Sequence, residues 1–187
     1  MKVLFDTDIG SDIDDALALL LLLRIPEVEL LGVTTVYGRV DTRAKIARKI
    51  LDAAGRSIPV HVGLSEPFAS PMKVWHAGTE GHGVLTEEEY SAPIDSSVIG
   101  QDAPGLIVEL VEGNPHEVVI VCVGALTNLA AALRQQPELA SIVKAVCFMG
   151  GGVVYPGTVF LPLGDSCQAR SSHNVKCDVK AAQEVFG

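Results

Sequence analysis

Short runs that are apolar at every position constrain this chain more than any other feature. Residues 118–123 (VVIVCV) and 145–149 (AVCFM) show no alternation of polar and apolar side chains. A strand with one wet face alternates with period two, so an unbroken apolar run predicts a strand covered on both faces. Residues 2–5, 29–36 (ELLGVTTV) and 59–62 read the same way. Helical periodicity separates them: 14–24, ended before Pro26; 40–54, stopped at Gly55; 103–112; 126–134; and 179–186. In the 40–54 helix Ile46, Ile50 and Leu51 share one face, read as core, with Arg43 and Lys45 off it. Strands alternating with helices predict an α/β fold with a mostly parallel, Rossmann-like sheet and helices on both faces. At 187 residues the chain suits a single domain, 1–187. Residues 63–99 are rich in Gly, Pro and Ser, with one brief acidic helix at 86–90, which predicts a functional loop region.

In sheets of this kind ligands sit beyond the carboxyl ends of the strands. That rule gathers residues 6–15, 124–128 and 149–152 on one rim. The first of these is FDTDIGSDID followed by another Asp, so Asp6, Asp8, Asp12, Asp14 and Asp15 crowd the passage from strand to helix. Two like charges about 4 Å apart repel by roughly 1 kcal/mol in water and about 4 kcal/mol at an effective dielectric near 20. A helix N-terminus offsets at most about 1 kcal/mol of this. Gathered carboxylates therefore call for a hard, oxygen-seeking cation such as Ca²⁺ or Mg²⁺. Helix capping is the simpler alternative, with Asp12 as N-cap and Asp15 reaching back to it. It leaves Asp6 and Asp8 at the strand end unexplained. An EF-hand needs Gly at its sixth position and Glu at its twelfth; counted from Asp6, Gly10 is fifth and Leu17 twelfth. A dehalogenase-type phosphatase, with Asp6 as nucleophile and Asp8 as acid/base, stays as the alternative, although it leaves Asp14 and Asp15 without a role.

Composition narrows the partners. The net charge of −9 argues against nucleic acid and anionic membrane surfaces. The start MKVLFD has no apolar export core, and the apolar run 16–23 is too short to span a bilayer and reads as a buried helix. Cys122, Cys147, Cys167 and Cys177 contain no Cys-x-x-Cys pair, and the first two lie in strand-like runs, where a thiol acts as a small buried hydrophobe. A reducing, cytoplasmic setting is expected. Gly150-Gly151-Gly152 lacks the Lys and Ser/Thr of a phosphate loop and reads as close backbone approach to a pocket.

Asp6-Thr7-Asp8-Ile9-Gly10 with Asp14-Asp15-Ala16-Leu17-Ala18-Leu19 resembles the fingerprint of the inosine-uridine nucleoside hydrolase family. Gly32-Val33-Thr34-Thr35-Val36-Tyr37-Gly38, Gly124-Ala125-Leu126-Thr127-Asn128-Leu129, Phe148-Met149-Gly150-Gly151 and His173-Asn174-Val175-Lys176-Cys177-Asp178 continue it in order across nearly the whole chain. The resemblance implies nucleoside salvage by hydrolysis of the N-glycosidic bond of ribonucleosides to ribose and free base, in a dimer or tetramer. It implies Ca²⁺ held by Asp8, Asp15 and the backbone carbonyl of Thr127, with Asp8 as general base on a calcium-bound water. Asp14, Met149 and Asn174 would hold the ribose, and Asp6 would support the ion; Asp12 lies in a loop insertion with no assigned role. An oxocarbenium-like transition state would be favoured by the oxygens around the sugar.

Departures from the family pattern are equally specific. Arg39 stands where Asn or Asp is usual, Ser172 where Glu is expected, and Thr158 where Asn is common. The family's second His-Asp element, a further calcium ligand, falls beyond position 187, so the resemblance covers the family's N-terminal portion. Weak or lost turnover is therefore expected, with a non-catalytic ribose-binding remnant as the alternative. His82, in the Gly-rich WHAGTEGHG loop, and His173, beside Asn174, are candidate substrate contacts, as is Trp75; His61 and His116 are not.

Overall fold

The computed structural model describes residues 1–150 and 172–187. Gly151, Gly152, Thr158 and Cys167 lie outside the described residues. In chain order the elements are β1 (Lys2–Thr7), α1 (Asp14–Arg24), β2 (Glu29–Thr35), α2 (Val40–Ala53), β3 (Val60–Val62), α3 (Glu87–Ser91) and β4 (Ile99–Gly100). There follow α4 (Ala103–Glu112), β5 (Val118–Cys122), α5 (Thr127–Gln135), α6 (Leu139–Ile142), β6 (Ala145–Phe148), α7 (His173–Cys177) and α8 (Val179–Phe186).

The strands form one sheet in the order β4-β3-β2-β1-β5-β6, and each neighbouring pair is parallel. The expected architecture is therefore present, with helices on both faces. Val3 and Phe5 of β1 and Val33 of β2 pack with Leu19 of α1 and Ala44, Ala47 and Leu51 of α2. On the other face Leu4 of β1 and Ile120 and Cys122 of β5 pack with Ile107 of α4, Leu129 and Ala130 of α5 and Ala181 of α8. Full burial of each large apolar side chain stabilises by about 1.5–3 kcal/mol. β1 is central: the chain goes from it to β2 on one side and later to β5 on the other. The order reverses there, which leaves a crevice at the carboxyl ends of β1 and β5.

Several expectations need correction. The 16–23 run is not a buried helix: Leu17, Leu20 and Leu21 of α1 are exposed, and only the stripe through Leu19 meets the sheet. A helix one layer deep covers the sheet with one side and leaves its other side outward. β6 is not a strand buried on both faces, and its Cys147 is exposed, because it stands at the end of the sheet among the described residues. Arg43 does lie off the apolar stripe of α2, yet it is fully buried. The short elements β4, α6 and α7 carry too few residues for a periodicity to show. α3 sits one residue later than expected, with Thr86 as its cap in a reciprocal capping box with Glu89. No helix among the described residues is long and apolar enough to cross a membrane.

Candidate active site

The crevice beyond β1 and β5 is built from backbone continuations of the sheet. Val123 N–H donates to the Asp6 carbonyl (2.9 Å) and Val36 N–H to that of Thr7 (3.0 Å), which keeps the strand ends in register as they leave the ladder. Thr7, the last residue of β1, then fixes the turn. Its hydroxyl accepts from Ile9 N–H at 3.0 Å and donates to Asp15 Oδ2 at 2.5 Å. Gly10 has φ +107°, and a Cβ there would stand 2.5 Å from Ile46 Cδ1, so the turn needs glycine twice over. α1 begins with Ile13 as N-cap and no side-chain cap. Asp12 is thus not the N-cap, and Asp15 is held by Thr7 rather than reaching back to it.

The five aspartates separate into layers. Asp6 is fully buried; its Oδ1 accepts from Thr34 Oγ1 (2.6 Å) and Asn128 Nδ2 (2.8 Å), while Oδ2 has no partner. Asp8 and Asp15 come within hydrogen-bonding reach of each other. Asp12 and Asp14 are exposed on the lip. Burial pushes the Asp6 carboxyl from 3.8 up to about 6, against the pull of Thr34 and Asn128. Burial and then repulsion from Asp8 raise Asp15 to about 7. Asp8 is also raised, by burial, with Arg43 pulling the other way. Each of the three acids favours a proton unless positive charge arrives, and their donor atoms are the hard oxygens that a divalent cation of the calcium type prefers. Among the described residues no group of three or more His, Cys, Asp or Glu side chains converges in metal-binding geometry. The fit to a cation therefore rests on the Asp8–Asp15 pair and the orphaned Asp6 oxygen beneath it, not on a ring of five acids.

A cavity of about 420 Å³ opens above this pair. Asp8, Asp12, Asp14 and Asp15 line it, and so do Met149, His173, Asn174 and Trp75. Asn174 is placed by α7: its Nδ2 donates to the Val123 carbonyl (2.6 Å) and the Met149 carbonyl (2.9 Å), tying the ends of β5 and β6 together. Trp75 and His173 meet edge to face, centroids 6.2 Å apart. Most of the candidate residues thus converge, but three do not reach the cavity wall. Asp6 lies beneath it. Thr127 is buried as the first residue of α5, its hydroxyl donating to Asp178 Oδ2 at 2.8 Å. His82 faces a neighbouring hollow with Ile9, Gly10 and Asp12. Arg39 turns away and donates to the Tyr90 hydroxyl at 2.7 Å, and Ser172 lies on the cavity wall as N-cap of α7.

Four functional-site supports carried no role in the sequence reading. Asn128 bridges Asp6 and the Thr35 carbonyl (3.0 Å). Asp178 accepts from Phe68 N–H (2.8 Å), Ala69 N–H (3.2 Å), Thr127 Oγ1 (2.8 Å) and Ala181 N–H (3.0 Å), so it caps α8 and pins the 68–69 segment to α5. Arg43 and Glu80 are buried charges beside the acids. The available signal for Arg43 was its place, one turn into a helix that starts at the ligand rim. Nothing in the loop composition marked Glu80.

Comparison with known proteins adds an independent line. The family model described as inosine-uridine preferring nucleoside hydrolase matches residues 3–187. The chain is 33% identical over 189 residues to the probable uridine nucleosidase 2 of Arabidopsis thaliana, covering 99% of this chain and 55% of that protein. It is 37% identical over 157 residues to the inosine-uridine preferring nucleoside hydrolase of Crithidia fasciculata, covering 81% and 48%. Among solved structures, the purine-preferring ribonucleoside hydrolase from Gardnerella vaginalis superposes with a TM-score of 0.77 at 28% identity, over 100% of this chain and 57% of that one. The chain spans about half the length of the relatives it matches.

Proposed function

Because the chain belongs to the inosine-uridine preferring nucleoside hydrolase family, we propose that it binds ribonucleosides in the 420 Å³ cavity and hydrolyses their N-glycosidic bond to ribose and free base. The observation that carries this reading is a single cavity at the sheet's switch point whose lining brings Asp8 and Asp15 together with Asn174 and Met149. We assign Asp8 as general base, Asp8, Asp15 and the Thr127 carbonyl to a calcium ion, and Asp14, Asn174 and Met149 to the ribose.

The site's own residues supply most of the chemistry. Asp8, raised by burial, is a stronger proton acceptor than an exposed carboxylate and takes a proton from an attacking water. Asp15 is locked by Thr7 and cannot swing out of the site. Asn174 has both ends of its amide donor fixed by β5 and β6, which sets the height of the sugar over the acids. Calcium, when bound, would neutralise the paired carboxylates and make a water easier to deprotonate. Positive charge on the ribose ring in the transition state is then faced by carboxylates on one wall. The phosphatase alternative needs an accessible Asp6 nucleophile, and Asp6 is fully buried with Oδ1 doubly occupied.

The test is ribose release from inosine and from uridine, with calcium and with chelator, for the chain and its Asp8→Asn variant. A calcium-dependent rate that falls by about 10²–10⁴-fold in the variant supports the reading. Nucleoside binding with no release supports the non-catalytic alternative, and neither binding nor release refutes both.

A further inference from the structure

The Asp8–Asp15 pair and Asn174 come from distant parts of the chain, and two hydrogen-bonded routes join them. The first is mostly backbone. Val123 N–H donates to the Asp6 carbonyl at 2.9 Å, and the Val123 carbonyl accepts from Asn174 Nδ2 at 2.6 Å. The second runs through two adjacent side chains at the start of α5. Thr127 Oγ1 donates to Asp178 Oδ2 at 2.8 Å, and Asn128 Nδ2 donates to Asp6 Oδ1, also at 2.8 Å. Thr127, Asn128, Asp6 and Asp178 are all buried. The amide of Asn128 has no room to swing. Its Nδ2 also donates to the Thr35 carbonyl (3.0 Å), its Oδ1 accepts from Leu64 N–H (2.9 Å), and a Cβ on Gly63 would stand 2.4 Å from it. Asp178 is held as firmly, since each of its oxygens accepts two hydrogen bonds.

Asp6 stands two residues before Asp8, and Asp178 four residues after Asn174. α7 has five residues, too few to hold a direction unaided. Asn174 anchors one end of it and Asp178 the other, about 6 Å apart at helical rise. One anchor leaves a pivot; two fix a direction. We propose that Asp178, Thr127, Asn128 and Asp6 form a buried relay that sets the separation between Asn174 and the Asp8–Asp15 pair. Thr127, Asn128 and Asp178 are then positioning residues for the ribose site, whatever else they stabilise. The consequence for ribose rests on the ribonucleoside reading; the relay itself does not.

Cutting the relay at two places tests it. Thr127→Val removes the hydroxyl at nearly constant size, and Asn128→Ala removes the amide. Inosine affinity, measured by calorimetry in calcium, should fall about tenfold in each. The double variant should lose about tenfold as well, because a single break already frees α7. Independent supports would instead multiply to about a hundredfold, which overturns the relay, as does unchanged affinity in either single variant. Thr127→Ser returns the hydroxyl without the methyl and should recover the affinity lost in Thr127→Val; a role in packing alone would rank valine above serine. Hydrogen exchange without calcium or nucleoside supplies a second readout. Asn128 makes no hydrogen bond to α7, yet Asn128→Ala should speed exchange across 173–178 by at least about tenfold. Faster exchange confined to residues 63–65 and the start of α5 overturns the relay even if the wild type hydrolyses nucleosides. A wild type that binds no inosine overturns the ribonucleoside reading, and exchange across 173–178 then decides the relay alone.

Discussion

Asp6→Asn should make the metal-free chain more stable, not less, although it alters a fully buried residue at the centre of the sheet. Burial raises the Asp6 carboxyl from 3.8 in the unfolded chain to about 6 in the fold. A shift of that size corresponds to about 3 kcal/mol between the two protonation states. The sign follows from linkage. The folded chain holds this proton more tightly than the unfolded one, so the contribution is fully present below the unfolded value of 3.8 and is lost as pH rises through about 6. At about pH 8 the wild type carries the whole penalty of an ionised carboxylate with one orphaned oxygen. Asparagine removes the charge and keeps an acceptor for Thr34 and Asn128, but places an amide proton where no acceptor stands, an offset of about 1 kcal/mol. The net gain is about 2 kcal/mol, or about 1 M in urea midpoint at a slope near 2 kcal/mol/M. Urea denaturation in chelator should show this gap at about pH 8 and, with the carboxyl protonated below about pH 4, wild type ahead by about 1 kcal/mol. Added calcium should reverse the order, because the ion stabilises by mass action only where its supporting charge survives. A variant less stable than wild type in chelator at about pH 8 would refute the reasoning, since it would mean that the Asp6 charge is favourable without a cation.

Two further substitutions probe the frame around the acids. Gly124→Ala would place a Cβ 2.9 Å from Asp8 Oδ1 and 2.8 Å from Val36 Cγ1, so Asp8 must move; ribose release should fall at least about tenfold while the thermal midpoint changes by only a few degrees. Asp178→Ala removes the α8 cap and the acceptor for three other donors, which should destabilise by about 3–5 kcal/mol; a melting curve within a degree or so of wild type would count against its role as a structural hub.

The sheet was legible because continuous apolar runs have one cheap solution, and 118–123 alone nearly dictates a covered parallel strand. What escaped was anything decided by neighbours rather than by the run itself. The 145–149 run has the same composition whether it is central or last in the sheet, so the exposure of Cys147 was not written in it. β4 has two residues and exists only because β3 offers it a ladder. The leucines of α1 look alike in sequence, and only the position of the sheet decides that Leu19 is buried while Leu17, Leu20 and Leu21 are not. The acid site was legible in its ingredients, five aspartates within ten residues, but not in its layering: no residue type marks Asp6 as buried and Asp12 and Asp14 as exposed, because the sheet and the turn at Gly10 decide that.

The arrangement matters because charge must balance where water is excluded. Asp6 and Asp15 are buried and Asp8 is half-buried, whereas Asp12 and Asp14 are exposed, keep their hydration and need no counter-charge. Against these three carboxylates the described residues set one buried guanidinium, Arg43, which also lies in the field of Glu80. The three site aspartates and Glu80 outweigh this one base, and the deficit is reduced but not removed by hydrogen bonds from Thr7, Thr34 and Asn128, since all three Asp groups remain raised. Protons fill the deficit at low pH and must leave as pH rises. A divalent cation at the Asp8–Asp15 pair is the remaining way to settle it near neutrality without unfolding the rim. The sequence alone overstated the demand for metal by counting every aspartate, and it gave Arg43 no part in answering it. The buried remainder, rather than the total, is what a cation has to meet, so calcium affinity should fall with Asp8 or Asp15 neutralised and stay nearly unchanged with Asp12 neutralised.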